Sequence, residues 1–139
     1  MTKAIICDLD GTLALLGDRD PFNPTTIAND ELNNAIANIL EVYAHQTLFK
    51  VQIFFLTGRF EKYREQTDEW LQKHGIDNYK LFMRKDGDFR KDIVYKKEIY
   101  QKQIQNKFEV LFVLEDRDQT VKMWRELGLT CLQVAYGAF

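Results

Sequence analysis

The 139-residue chain has little of what breaks or staples a fold: two prolines, seven glycines and two cysteines. So few glycines and prolines leave no material for a long disordered linker, and neither an internal repeat nor a low-complexity segment occurs. Cys7 and Cys131 each sit in an apolar, strand-like run, which predicts two buried reduced thiols rather than a disulfide. No apolar run approaches the ~20 residues that a bilayer-spanning helix needs. One lysine precedes the first apolar run, with no secretory leader in view, so a cytoplasmic protein without membrane partners is expected. His45 and His74 neighbour no other metal-type side chain and are given no role.

Hydrophobic residues at 45% and charged residues at 29% describe an ordinary globular chain, and the length suits a single domain over residues 1–139. The net charge of −2 does not advertise a polyanion binder, but its distribution is uneven. Residues 80–107 carry +5 and the remainder −7, so a basic stripe faces an acidic remainder. Such a stripe is either a polyanion footprint or a solvated helix face.

Continuous apolar runs at 4–7, 51–56, 79–83, 110–114 and 131–135 predict five strands. Helical periodicity fills the gaps: Leu32 to Tyr43, capped by Asn29 or Asp30; 60–74, stopped by Gly75; 92–105; and 119–127, stopped by Gly128. Trp70 and Trp124 have apolar partners at helical spacing and are read as core. Residues 13–29 hold both prolines and a charged Asp18-Arg19-Asp20 cluster, and read as a loop over the strand ends. Strands alternating with helices imply a parallel sheet with right-handed crossovers. The expected fold is therefore α/β: a Rossmann-like three-layer sandwich around a five-stranded parallel sheet.

Three of the strands run into polar residues. The first ends in Asp8 and Asp10, the second in Thr57, the fourth in Glu115 and Asp116. Parallel strands point one way, so these sets meet at the carboxyl edge, where open α/β sheets bind ligands. Lys96, in the helix before the fourth strand, is the mobile cation placed to join them. Acids this close need a cation among them, and Mg2+ is the natural choice. Held by Asp8, the Asp10 carbonyl and Asp116, it would help neutralise a phosphoryl group, with Lys96 as a second charge and Thr57 as a hydrogen-bond donor. Asp8 would then attack phosphorus, and Asp10 would protonate the leaving oxygen and later activate water. Gly11 turns the chain so that Asp10 faces the site.

Asp8-Leu9-Asp10-Gly11-Thr12, Thr57, Lys96 and Glu115-Asp116, in that order, resemble the haloacid dehalogenase superfamily of aspartate-nucleophile phosphatases. Gly17 and Arg19, Thr57-Gly58-Arg59, Arg90-Lys91-Asp92, Asp116-Arg117, Met123-Trp124-Arg125 and Gln133-Val134-Ala135 narrow the likeness to the 3′-phosphatase domains of bacteriophage polynucleotide kinase–phosphatases. That resemblance implies substrate-phosphate or transition-state contacts for Arg19 and Arg59, with Gly58 beside them, and an aspartyl-phosphate on Asp8. It places a host-cytoplasmic origin among the expectations, should the chain be phage-encoded. Where the superfamily has Asp-Asp in its fourth motif this chain has Glu115-Asp116, so Glu115 would reach a metal-bound water with one methylene of slack. Arg117 would steady that loop.

No Gly-x-x-x-x-Gly-Lys-Ser/Thr loop occurs, so a phosphatase without its own kinase half is expected, with a separate kinase or ligase as possible partner. About forty residues separate Gly11 from Thr57, and Thr57 from Lys96, which leaves little or no room for a cap domain. An open site of that kind suits DNA or RNA 3′ ends, with the basic stretch from Arg84 to Lys97 holding phosphates. Competing readings are a nucleotidase with the same chemistry, a catalytically silent end-binding module, and a receiver-type signalling domain. The last would carry its aspartate after the third strand, where this chain has Met83-Arg84-Lys85.

Overall fold

A computed structural model describes residues 1–20 and 24–139, with only the backbone described at Pro24 and Thr25. The apolar run at the start of the chain forms β1 (Thr2–Cys7), and Ala4, Ile5, Ile6 and Cys7 are all buried. Both its faces are covered, so β1 is the middle strand. The sheet order is β5 (Tyr79–Arg84), β4 (Val51–Phe60), β1, β6 (Phe108–Glu115) and β7 (Cys131–Gln133), every pair parallel.

Side-chain alternation along the strands feeds two cores. Ile5, Cys7, Ile53, Phe55, Phe112 and Leu114 face α1 (Asn34–His45) and α2 (Arg64–Lys73), which contribute Ile36, Leu40, Trp70 and Leu71. Ala4, Ile6, Phe54, Leu56 and Val113 face α3 (Asp92–Ile99) and α4 (Asp118–Glu126), which contribute Tyr95, Val121, Met123 and Trp124. Helices on both faces of a parallel sheet make the three layers expected. Both tryptophans are core, and Cys7 and Cys131 are buried free thiols, one in each core.

The chain runs from β1 towards β4 and β5, then crosses back beyond β1 to β6 and β7. The reversal falls between β1 and β6, and a crevice opens there at their carboxyl ends. Over that end lies only a two-strand antiparallel ribbon, β2 (Ala14–Leu15) with β3 (Glu31–Leu32), and a 3-10 turn over Pro24–Asn29. No cap domain is present among the described residues.

Several boundaries differ from the sequence expectation. The stretch 13–29 is not one loop, although its residues 21–23 lie outside the described residues. The first helix starts at Asn34, so neither Asn29 nor Asp30 caps it; Asn33 takes that position and its amide donates to the Thr12 carbonyl at 3.0 Å. β4 does not break at Leu56 but continues through Thr57-Gly58-Arg59 to Phe60, its pairing with β5 shifting register between Leu56 and Phe60. The third helix ends in a π-helical turn over Tyr100–Ile104 that buries Tyr100 and Ile104. Among the described residues no helix is long and apolar enough to cross a membrane.

Candidate active site

Beyond Cys7 the chain folds back around the Leu9 carbonyl, which accepts from the amides of Thr12, Leu13 and Ala14 at 2.9–3.1 Å. Leu9 is buried beneath the turn, so Asp8 and Asp10 on either side of it are lifted into the crevice. Gly11 permits this turn twice over. Its φ is +85°, and a Cβ there would overlap the Asp116 carboxylate.

Asp8 is buried, and its Oδ1 accepts from Lys96 Nζ at 2.9 Å. The same ammonium donates to Glu115 Oε2 at 3.0 Å. Lys96 is only 2% exposed, so it is a locked bridge between two strands rather than a mobile cation. Burial opposes its charge, but the Asp8 and Glu115 carboxylates outweigh that and hold it charged, well above its usual pKa. Asp8 goes the other way. Burial first, then Glu115, push its carboxyl up to about 8 against the pull of Lys96.

Asp116 follows Glu115 across the crevice. Thr12 stands between the acids, its hydroxyl 3.3 Å from Asp8 Oδ2 and 3.2 Å from Asp116 Oδ1. Burial and the neighbouring Asp8 raise Asp116 to about 6. Oxygen atoms of Asp8, Glu115 and Asp116 all lie within 4.8 Å of one another, and all three residues are buried. Three hard oxygen donors, two of them with carboxyls raised by burial and by neighbouring acids, form a set that a hard divalent cation fits.

The Asp10 carboxylate is not one of these three. It is turned towards Arg59, whose Nη2 donates at 2.6 Å, and Arg19, whose Nη2 donates at 3.2 Å. Both arginines also reach Asp30: Arg19 by two bonds at 2.7 and 2.9 Å, Arg59 at 3.3 Å. Arg59 further donates to Thr67 Oγ1 at 3.1 Å. Arg19 and Arg59, expected at substrate phosphate, thus line the cavity with donors directed to Asp10 and Asp30. Asp30, expected as a helix cap, is a buried anchor whose carbonyl also takes the Trp70 indole N–H at 2.9 Å.

Thr57 is buried on β4 and borders the same cavity as Asp8. Its oxygen accepts the Arg59 amide at 3.2 Å, which leaves its own O–H to donate. Gly58 provides clearance: a Cβ there would strike Asp92, the first residue of α3. Asp92 is ion-paired to buried Arg84, which also donates to the Gly58 carbonyl at 3.1 Å. Arg117 lies 3.9 Å from Asp92 and donates to the Phe139 carbonyl at 2.8 Å.

A cavity of about 710 Å³ joins Asp8, Asp10, Thr57, Gly58, Lys96, Glu115 and Asp116, with Arg19 and Arg59 in its wall. Part of the basic stretch from Arg84 to Lys97 stays open, with Lys85, Lys91 and Lys97 exposed. Arg84 and Lys96 are buried in ion pairs, and Arg90 is tied to Asp88 and Glu98. The sequence singles out no site role for Thr12, Asp30 or Asp92. Thr12 and Asp92 stood inside quoted motifs, while Asp30 had only its position among cap-type residues to signal it.

A doubly wound sheet with this crevice and these motifs in this order is a phosphatase domain of the haloacid dehalogenase type. More narrowly, residues 2–139 match the profile of the polynucleotide kinase (PNKP) phosphatase domain, and the chain belongs to that family. It is 33% identical over 131 residues to a protein of Autographa californica nuclear polyhedrosis virus assigned as a bifunctional polynucleotide kinase/RNA ligase, covering 91% of this chain and 18% of the relative. Among solved structures it is 47% identical, with a TM-score of 0.94, to a chain of the Pnkp1/Rnl/Hen1 RNA repair complex, covering 99% of this chain and 44% of that one. A second structure of a Pnkp1/Rnl/Hen1 complex matches with the same identity and TM-score over 100% of this chain and 48% of the other. The chain thus spans less than half the length of each of these relatives.

Proposed function

We propose that this domain is a Mg2+-dependent phosphomonoesterase that removes 3′-phosphates from polynucleotide ends, RNA in the first place, through an aspartyl-phosphate on Asp8. The observation that carries the reading is the separation of the two aspartates. Asp8 sits against Lys96 and within the acidic set; Asp10, two residues on, is held out of that set by Arg59 and Arg19. This separation supports a division of labour in which Asp8 bonds to phosphorus and Asp10, oriented by the two guanidiniums, gives up and takes back the proton.

Asp8, Glu115 and Asp116 would hold the cation, which supplies charge neutralisation at the phosphoryl oxygens and keeps Asp8 ionised. The Asp8 carboxylate forms a bond to phosphorus as the bond to the ester oxygen breaks. The leaving oxygen takes the proton from Asp10, so the polynucleotide departs with a free 3′-hydroxyl. Asp10, now a carboxylate steadied by two guanidiniums, accepts a proton from the incoming water. That water adds to phosphorus as the Asp8–phosphorus bond breaks, releasing inorganic phosphate. Lys96 balances negative charge on Asp8 throughout, and the Thr57 hydroxyl donates to a phosphoryl oxygen.

The polynucleotide assignment is supported by family membership, by the RNA repair context of the solved relatives and by the lack of a cap over the cavity among the described residues. By analogy with those relatives, kinase and ligase activities are the expected companions of the domain. The test is phosphate release from matched 3′- and 5′-phosphorylated RNA and DNA oligonucleotides and from 3′-mononucleotides, with and without Mg2+. Mg2+-dependent release from 3′ ends, lost in Asp8→Asn, is expected. Turnover of mononucleotides with oligonucleotides left intact would make the domain a nucleotidase.

A further inference from the structure

At the mouth of the cavity stands a large apolar side chain outside both cores. Phe89 is 83% exposed, in the segment joining β5 to α3, yet its ring borders the same cavity as Asp8. The segment is tightly held. Asp88 N–H donates to the Lys85 carbonyl at 3.0 Å, and the Asp88 side chain takes the Arg90 guanidinium at 2.8–2.9 Å. Arg90 continues to Glu98 at 2.5 Å, and buried Arg84 binds the Asp88 and Arg90 carbonyls from below.

The backbone that carries the ring is thus anchored on both sides of Phe89. The ring meets Phe60, the last residue of β4, with centroids 5.7 Å apart and planes at 70°. One edge-to-face neighbour covers only part of a ring, and the rest of Phe89 is open to solvent. Beside it, the Lys62 ammonium lies 5.9 Å from the Phe60 centroid and 5.1 Å from that of Tyr63. No carboxylate lies within ion-pairing distance of it among the described residues.

Resting on the polynucleotide reading above, we propose that Phe89, backed by Phe60, is a stacking step for a nucleobase within the last two nucleotides of the substrate, with Lys62 meeting the adjoining backbone phosphate. The observations select this occupant. A flat apolar face continuous with a phosphoryl cavity, and next to an uncommitted cation, matches a base attached to a phosphodiester. Every base has such a face, so the grip is indifferent to sequence. The cavity of about 710 Å³ also exceeds what a phosphoryl group alone would fill. The step would let the domain distinguish a polynucleotide end from a small phosphomonoester although no cap encloses the site.

The experiment is a double-mutant cycle between protein and substrate. Single-stranded 3′-phosphorylated oligonucleotides carry either a base or an abasic sugar at each of the last two positions in turn. Their kcat/KM values with Mg2+ are compared for wild type, Phe89→Ala and Phe89→Tyr. At one of the two positions the wild type should prefer the base by about tenfold. Phe89→Ala should lose about tenfold on the base-bearing oligonucleotide, chiefly in KM, and the two losses should not add when the abasic substrate meets the alanine variant. Phe89→Tyr should retain the preference. Equal loss in Phe89→Ala on base-bearing and abasic substrates overturns the proposal, assigning Phe89 to the loop or to a protein partner; no loss at all overturns it equally. A wild type that leaves every 3′-phosphorylated oligonucleotide intact overturns the polynucleotide reading and the stacking step with it, and that failure shows before any variant is made.

Discussion

Arg59 on β4 donates to Asp10 by Nε and Nη2, the shortest contact being 2.6 Å, and so ties the turn after β1 to the neighbouring strand. The guanidinium fork fixes both the position and the orientation of that carboxylate, and its remaining nitrogen is spent on Thr67. Lysine has the charge without the fork. Arg59→Lys should lower kcat about 100-fold, while the Mg2+ concentration for half-maximal activity changes little, because the Asp10 carboxylate stands outside the acidic set. Steady-state kinetics at varied Mg2+ check both parts. A large rise in the Mg2+ requirement would instead place the Asp10 carboxylate on the cation.

Lys96 is buried between Asp8 and Glu115, so removing its charge strands two carboxylates in the core. Lys96→Met should abolish turnover and, in the absence of metal at pH 8, cost about 3–5 kcal/mol of stability. Adding Glu115→Gln should recover much of the stability and none of the activity. Chemical denaturation of the single and double variants, alongside phosphate release, separates the two effects.

The raised carboxyls give the metal-free domain a predictable pH response. A group whose pKa is higher folded than unfolded stabilises the fold at low pH, and that contribution is lost as pH rises through the folded value. For Asp116 that value is about 6 and for Asp8 about 8, against 3.8 when unperturbed. Without metal, these two groups make the domain progressively less stable from pH 4 to pH 8. Mg2+ competes with the same protons, so its stabilising effect should grow over that window. At saturating Mg2+ the melting temperature should rise about 5–10 °C at pH 8 and very little at pH 5. Thermal melts with Mg2+ and with EDTA at the two pH values are the measurement.

How much of this was legible depended on whether the signal lay along the chain or across it. The buried strands announced themselves as unbroken apolar runs, with Asp8 and Glu115 directly after one and Asp10 and Asp116 just beyond, so the meeting at the sheet edge was legible in the sequence. Lys96 could be named but not described. Lys91 and Lys97 nearby are exposed, and local sequence gives no reason for the middle member of such a series to be buried. Asp30 was misread because next to a helix an aspartate looks like a cap; the arginines that claim it lie 11 and 29 residues away. The same reason takes Arg84 and Arg90 out of the basic stripe: the opposite charges that pair with them are visible as composition, but their pairing is a property of the folded loop. Thr57-Gly58-Arg59 looked like the end of a strand because it is polar, whereas the strand carries on and uses that polarity in the crevice.

The three clustered carboxylates come from distant parts of the chain, Asp8 after β1, Glu115 at the end of β6 and Asp116 just beyond it. The repulsion between Asp8 and the other two does not exist in an extended chain and is felt only once β6 has docked beside β1, one of the most distant pairings in the sequence. The penalty therefore falls late on the folding route. A cation that relieves it leaves the early steps of folding almost untouched and acts chiefly by slowing the escape of β6 from the sheet. In a cell with ample divalent cation, the same cluster that makes the domain reactive also governs how long each folded molecule lasts.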